Sequence, residues 1–96
     1  MAGDVVIEFG ANWCGICQAA QETIGDALSA HAARSPLRHL RIEDGRGRPL
    51  GRSFGIKLWP TLVVLKDGRE VARVVRPGGV RQIAEALLRL GAATAD

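Results

Sequence analysis

Apolar residues fall along this chain in distinct rhythms, and each change of rhythm marks an element. Val5-Val6-Ile7-Glu8-Phe9 is a short, nearly continuous apolar run rich in β-branched side chains, the pattern of a strand buried on both faces. After the turn Gly10-Ala11-Asn12-Trp13, apolar positions recur at helical spacing from Gly15 to about Arg34, through Ile16, Ala20, Ile24, Ala27, Leu28 and Ala32, and Ser35-Pro36 stops that helix. Leu37 to Glu43 alternates in part, with Leu40 and Ile42 set against Arg41 and Glu43, and reads as a second strand. Asp44 to Pro49 is loop, followed by one helical turn through Ser53. Thr61 to Leu65 carries the strongest strand pattern. The Asp67-Gly68 pair marks a tight hairpin, and Glu70 to Val75 is the returning strand. Pro77-Gly78-Gly79 breaks the chain before an amphipathic helix from Val80 to Leu90, with Ile83, Leu87, Leu88 and Leu90 on its apolar face and Gly91 as its expected stop. Ala92 to Asp96 reads as a frayed tail.

The order is β-α-β-(short α)-β-β-α, an α/β arrangement with one mixed sheet flanked by helices. The first βαβ unit is expected to be parallel with a right-handed crossover, and the last two strands to form an antiparallel hairpin. With 96 residues and no linker or repeat, positions 1–96 form one domain.

Charge narrows the partners. The net charge is +3, and Arg34, Arg38, Arg41, Arg46, Arg48 and Arg52 crowd the middle of the chain with His39. A nucleic-acid surface wants aromatic platforms among its charges, and only Phe54 lies nearby. These arginines therefore read as a solvated face or one for an acidic protein partner, with no nucleic acid expected. No stretch approaches the length of a membrane span, so no membrane is expected. The start Met1-Ala2-Gly3-Asp4 has no basic region leading into a long apolar run, so it does not read as a signal peptide. A soluble protein of the reducing cytoplasm is the expectation.

The chemistry lies in Cys14 and Cys17, the two cysteines of the chain. A disulfide between them closes too short a loop to staple the fold, so a reversible redox couple or half a metal site fits better. A structural zinc needs four ligands. His31 lies roughly 20 Å along the helix from Cys17, and His39 lies in a neighbouring strand, so no metal is expected and both histidines read as solvent-facing or structural. The pair instead falls where the first strand hands over to the long helix. There the helix dipole and free N–H groups stabilise a thiolate. Cys14 at the exposed helix start is expected to have the lower pKa and to attack a substrate disulfide. Cys17, one turn in and shielded, then resolves the mixed disulfide.

Three segments carry a resemblance to the thioredoxin family. Glu8-Phe9-Gly10-Ala11-Asn12-Trp13-Cys14-Gly15-Ile16-Cys17 resembles its active-site segment, Phe54-Gly55-Ile56-Lys57-Leu58-Trp59-Pro60-Thr61 its second signature, and Lys66-Asp67-Gly68 the following hairpin. They come in the family's order and spacing across nearly the whole chain. The resemblance implies a protein-disulfide reductase whose only redox group is the Cys14–Cys17 disulfide, recharged by a reductase or another thiol donor. It implies a cis Pro60 beside the disulfide, with Trp59 offering its backbone to an extended substrate. It also implies that Trp13 shields the site. Glu8 stands at the position of a buried aspartate that takes the proton of the second cysteine, with its pKa expected to be raised by burial, and Arg41 at that of the accompanying lysine, a charge partner.

Several positions depart from the family. Ile16, after Gly15, replaces a proline and predicts a less reducing couple. Gly10 replaces an aromatic, and Trp59 is bulkier than the usual aliphatic and is expected to fill the space Gly10 leaves. Arg76-Pro77-Gly78-Gly79 differs from the small-residue loop that helps dock substrates. The family's first strand and helix are expected to be missing, leaving four strands with residues 37–43 at an edge, where Arg38, His39 and Arg41 discourage pairing. The protein reads as a monomer, or that edge serves a dimer or partner. A reductant dedicated to one client, a non-enzymatic adaptor and a metallochaperone are the alternative readings.

Overall fold

The computed structural model describes residues 2–94, with side chains up to residue 91. Its chain forms β1 (Asp4–Gly10), α1 (Gly15–Ala32), β2 (Arg38–Glu43), α2 (Pro49–Ser53), β3 (Thr61–Lys66), β4 (Arg69–Val75) and α3 (Val80–Thr94). The strands make one sheet in the order β2-β1-β3-β4. β1 pairs parallel with β2 and antiparallel with β3, and β3 pairs antiparallel with β4. This is the mixed sheet and element order the hydrophobic pattern predicts.

Both central strands are continuous apolar runs because each has a core on either face. Val6, Leu62 and Val64 pack against Ile24, Ala27 and Leu28 of α1 and Ile83, Ala86, Leu87 and Leu90 of α3. Val5, Ile7, Phe9, Val63 and Leu65 face the other way, onto Leu40, Ile42, Phe54 and Ile56. Phe9, fully buried, meets Phe54 with ring centroids 5.4 Å apart. Burying each such side chain contributes about 1.5–3 kcal/mol, so the two cores fix β1 firmly and thereby what lies at its end.

The hairpin turn follows the Asp-Gly signal. Asp67 and Gly68 have φ of 50° and 84°, the left-handed pair that matches strand twist in a two-residue turn. Asp67 also ties the turn to the start of β1: its carboxylate accepts from the Gly3 N–H at 2.8 Å, and its own N–H donates to the Gly3 carbonyl at 2.9 Å.

One boundary differs. α3 continues through Gly91 to Thr94, where a stop was expected. A glycine ends a helix only when the chain adopts a left-handed turn there, and Gly91 is not among the glycines with positive φ. The frayed tail expected from residue 92 thus begins as helix, and residues 95 and 96 lie outside the described residues. No helix among the described residues is long and apolar enough to cross a membrane.

Candidate active site

Cys14 is the N-cap of α1. Its backbone is extended (φ −80°, ψ 113°), and its sulfur accepts the Cys17 N–H at 3.2 Å, the bond that a serine or aspartate oxygen makes at other helix starts. The first turn of α1 carries no acidic residue to compete with an anion there. Both thiols are free, so this is the dithiol form.

Hydrogen bonding lowers one thiol and burial raises the other. Cys14 is only 9% exposed and Cys17 5%, so the exposed Cys14 of the sequence reading is corrected: Trp59 packs over Ala11, Cys14 and Cys17. The Cys14 thiol is held below its ordinary value, chiefly by the hydrogen bond from the Cys17 side chain. The Cys17 and Ile16 N–H groups and the Arg76 charge add to this against burial. Burial pushes the Cys17 thiol up to about 11, helped by its bond to Cys14 and by the Cys14 and Glu8 charges. One sulfur is thus prepared to be a thiolate and the other to hold its proton.

Gly10 is what lets Cys17 sit there. A Cβ at Gly10 would come 2.9 Å from the Cys17 sulfur and 3.6 Å from its Cβ, closer than side chains tolerate at the sulfur. No atom of Trp59 lies within 4 Å of that position, so the expectation that Trp59 fills the space over Gly10 is wrong; the cysteine fills it. Trp59 instead meets Trp13 edge-on, centroids 5.4 Å apart at 75°, and donates its indole N–H to Asp44 Oδ2 at 2.8 Å. Asp44, in a segment read only as loop, is anchored by its own N–H to the Gly10 carbonyl at 2.7 Å, and its carboxylate occupies the place a side chain at residue 51 would need. Trp13 is 75% exposed, so it stands over the site rather than sealing it, and Ile16 beside it is half exposed. Nothing lies within 4 Å of a Cβ on Gly15, so packing does not demand glycine there.

Glu8 is 4% exposed, on the face of β1 that looks toward α1. Gln21 Nε2 donates to its Oε2 at 2.7 Å and also to the Cys17 carbonyl at 3.0 Å, linking the carboxylate to the helix that carries the thiols. His39 Nε2 lies 2.8 Å from Oε1. Arg41, the partner expected from the sequence, stands directly opposite Glu8 in the strand register but reaches it only at 3.9 Å, with its side chain 62% exposed. The expected upward pKa shift is also corrected. Burial does push the carboxyl up, but the bonds from His39 and Gln21, with the His39 and Arg41 charges, outweigh it and hold Glu8 below its usual value. A cleft of about 320 Å³, lined by Glu8, Gly10, Ala11, Asn12, Cys17, Arg41, Ile42 and Glu43, gives water access to both Cys17 and Glu8.

His39 and Gln21 were missed in the sequence. The signal for His39 was the period of two in β2, which puts it on the face of Arg41; that for Gln21 was its place four residues after Cys17.

The Trp59–Pro60 peptide is cis, as the resemblance implied, and Pro60 is buried. The adjoining loop holds this peptide in place: the Arg76 N–H donates to the Pro60 carbonyl at 2.8 Å and Arg76 Nε to the Trp59 carbonyl at 2.7 Å. Pro77 follows, half-buried, and leads into α3. No cluster of His, Cys, Asp and Glu among the described residues could hold a metal.

The thioredoxin family model matches residues 1–89. A thioredoxin of Aspergillus fumigatus is 30% identical over 91 residues, covering 95% of this chain and 82% of its own. One of Chlamydia muridarum is 38% identical over 74 residues, 77% of this chain and 70% of its own. The structure of thioredoxin 2 from Pseudomonas aeruginosa in its reduced form superposes with a TM-score of 0.81 at 52% identity, over 96% of this chain and 83% of that one. With Cys14 capping a helix and Trp59, which packs on both cysteines, leading into a cis-proline, the chain belongs to the thioredoxin family.

Proposed function

We propose that this protein reduces disulfides in other proteins by dithiol–disulfide exchange. The Cys14 thiolate attacks one sulfur of the substrate disulfide. That bond breaks, the other substrate sulfur leaves as a thiolate and takes a proton from water, and a mixed disulfide joins Cys14 to the substrate. Cys17 gives up its proton, and its thiolate attacks the Cys14 sulfur. The Cys14–Cys17 disulfide forms and the second substrate thiol is released. The substrate gains two electrons and two protons, and the protein's dithiol loses them. A reductase or small thiol of a reducing compartment such as the cytoplasm restores the dithiol.

The observation that carries this reading is the Cys17 N–H on the Cys14 sulfur, which favours the attacking anion at one cysteine while burial keeps the other protonated. Glu8 is the acceptor for the Cys17 proton, reached through the cleft they share. Its lowered pKa makes it a weak base alone. His39 Nε2, 2.8 Å from the carboxylate, holds Glu8 ionised and able to accept, and the proton then leaves the carboxyl for water in the shared cleft. An extended substrate segment lies along Trp59, next to Pro60. An adaptor role would leave the opposed tuning of the two thiols without use.

Dithiothreitol-driven reduction of insulin, followed by turbidity, tests the reading. The wild type accelerates precipitation and Cys14→Ser does not. An inactive wild type leaves the adaptor reading in its place. Within an active enzyme, an unchanged decay of the mixed disulfide in Glu8→Gln would remove Glu8 from the mechanism.

A further inference from the structure

We propose that Arg76 selects substrates by pairing with a carboxylate beside the reacting cysteine, so that this protein favours disulfides flanked by aspartate or glutamate. The inference rests on the disulfide-reductase reading and names the substrates of that same site. Arg76 takes no part in the electron transfer, whose balance is unchanged.

The geometry comes first. Arg76 occupies the left-handed region at φ 49°, which costs a side chain with a Cβ and is retained here in a loop abutting the site. Its N–H and its Nε are both spent on the carbonyls of Pro60 and Trp59, so the side chain lies along the very backbone that an extended substrate would follow. One edge of the guanidinium is thereby fixed, which removes much of the conformational cost of using the other. That other edge has no carboxylate within ion-pair distance among the described residues, whereas Arg41, Arg48, Arg73 and Arg81 each have one. A preorganised fork with open N–H donors fits a planar carboxylate.

Its surroundings agree. Arg76 is bonded to the Trp59 carbonyl and Trp59 packs against Cys14, so a carboxylate held by this guanidinium lies near the sulfur under attack. Trp13, Ile16, Leu58 and Val75, exposed by 75%, 48%, 46% and 47%, belong to the segments around this cation and offer apolar contact to the rest of the segment. The net charge of +3 steers acidic partners toward the surface. The substrate is accordingly an apolar, extended stretch with one acidic residue next to its cysteine.

Two disulfide-linked peptide pairs, identical except for glutamate or lysine beside the cysteine, test this by their second-order rate constants of reduction. The wild type should favour the glutamate peptide by about fivefold at low salt, and the preference should shrink at high ionic strength. The ratio should shrink in Arg76→Lys, which keeps the charge but not the fork, and fall to about one in Arg76→Gln and Arg76→Gly, whatever their absolute rates; the glycine variant suits the left-handed backbone and guards against misfolding. A wild type that reduces both peptides equally, or a preference that persists in Arg76→Gln, overturns the inference alone. A wild type that reduces neither peptide overturns the reductase reading and the inference with it.

Discussion

His39 Nε2 sits 2.8 Å from Oε1 of Glu8, closer than the Arg41 guanidinium at 3.9 Å, so the histidine is the nearer basic partner of the buried carboxylate. Because its bonds keep Glu8 ionised, the stability Glu8 contributes is present above the usual carboxylate value near 4.5 and is lost as pH falls through its lower folded value. Replacing His39 with leucine removes one of those bonds. Unfolding by urea should show His39→Leu less stable by about 1–3 kcal/mol at pH 7, with the deficit fading as Glu8 protonates. A deficit as large at pH 3 as at pH 7 would show that His39 acts by packing and not through the carboxylate.

The two thiols should titrate far apart. Lowering the Cys14 pKa below the ordinary 9.0 means that its thiolate fraction, and its alkylation rate, rise as pH climbs toward that value. Cys17 should stay unreactive until about pH 11. Iodoacetamide alkylation of the reduced protein, with mass mapping of each cysteine across pH 5–11, measures both. Equal rates at neutral pH would contradict the assignment of nucleophile and resolving thiol.

Gly10→Ala should push the Cys17 sulfur away, since the new Cβ would lie 2.9 Å from it. Overpacking of this kind costs about 1–3 kcal/mol, and denaturant unfolding of the dithiol form should report it. Displacing the sulfur should also slow closure of the mixed disulfide. An alanine variant as stable and as fast as the wild type would mean the sulfur has another place to go.

What the sequence made legible was whatever depends on local period and on chain order. Val5 to Phe9 and Thr61 to Leu65 are apolar on both faces because they are central strands, and Asp67-Gly68 needs no tertiary context to turn. Cys14 and Cys17 could be assigned to a helix start for the same reason. What stayed hidden depends on how strands and loops meet. The parallel register that sets Val6 against His39 and Glu8 against Arg41 leaves two basic residues on the Glu8 side, and only side-chain reach decides that histidine is the nearer. Likewise, Trp59 bonding to Asp44, and Cys17 filling the space over Gly10, join residues that no pattern of periodicity connects.

Ile16 is half exposed in the first turn of α1, where its N–H is one of the donors lowering the Cys14 pKa. Proline there removes that donor and stiffens the turn. Equilibration against glutathione should find Ile16→Pro more reducing than the wild type by about 30 mV, a tenfold change in the equilibrium constant. No shift, or a shift the other way, would separate the residue from the redox balance.

The central claim is that Cys14 attacks and Cys17 resolves. Reduced Cys17→Ser, mixed with a disulfide-containing protein and analysed by non-reducing mass spectrometry, tests it most directly. A stable mixed disulfide on Cys14 in this variant, with none formed by Cys14→Ser through Cys17 at neutral pH, is the predicted result. Failure of Cys17→Ser to capture any substrate, or equal capture by Cys14→Ser, would contradict it.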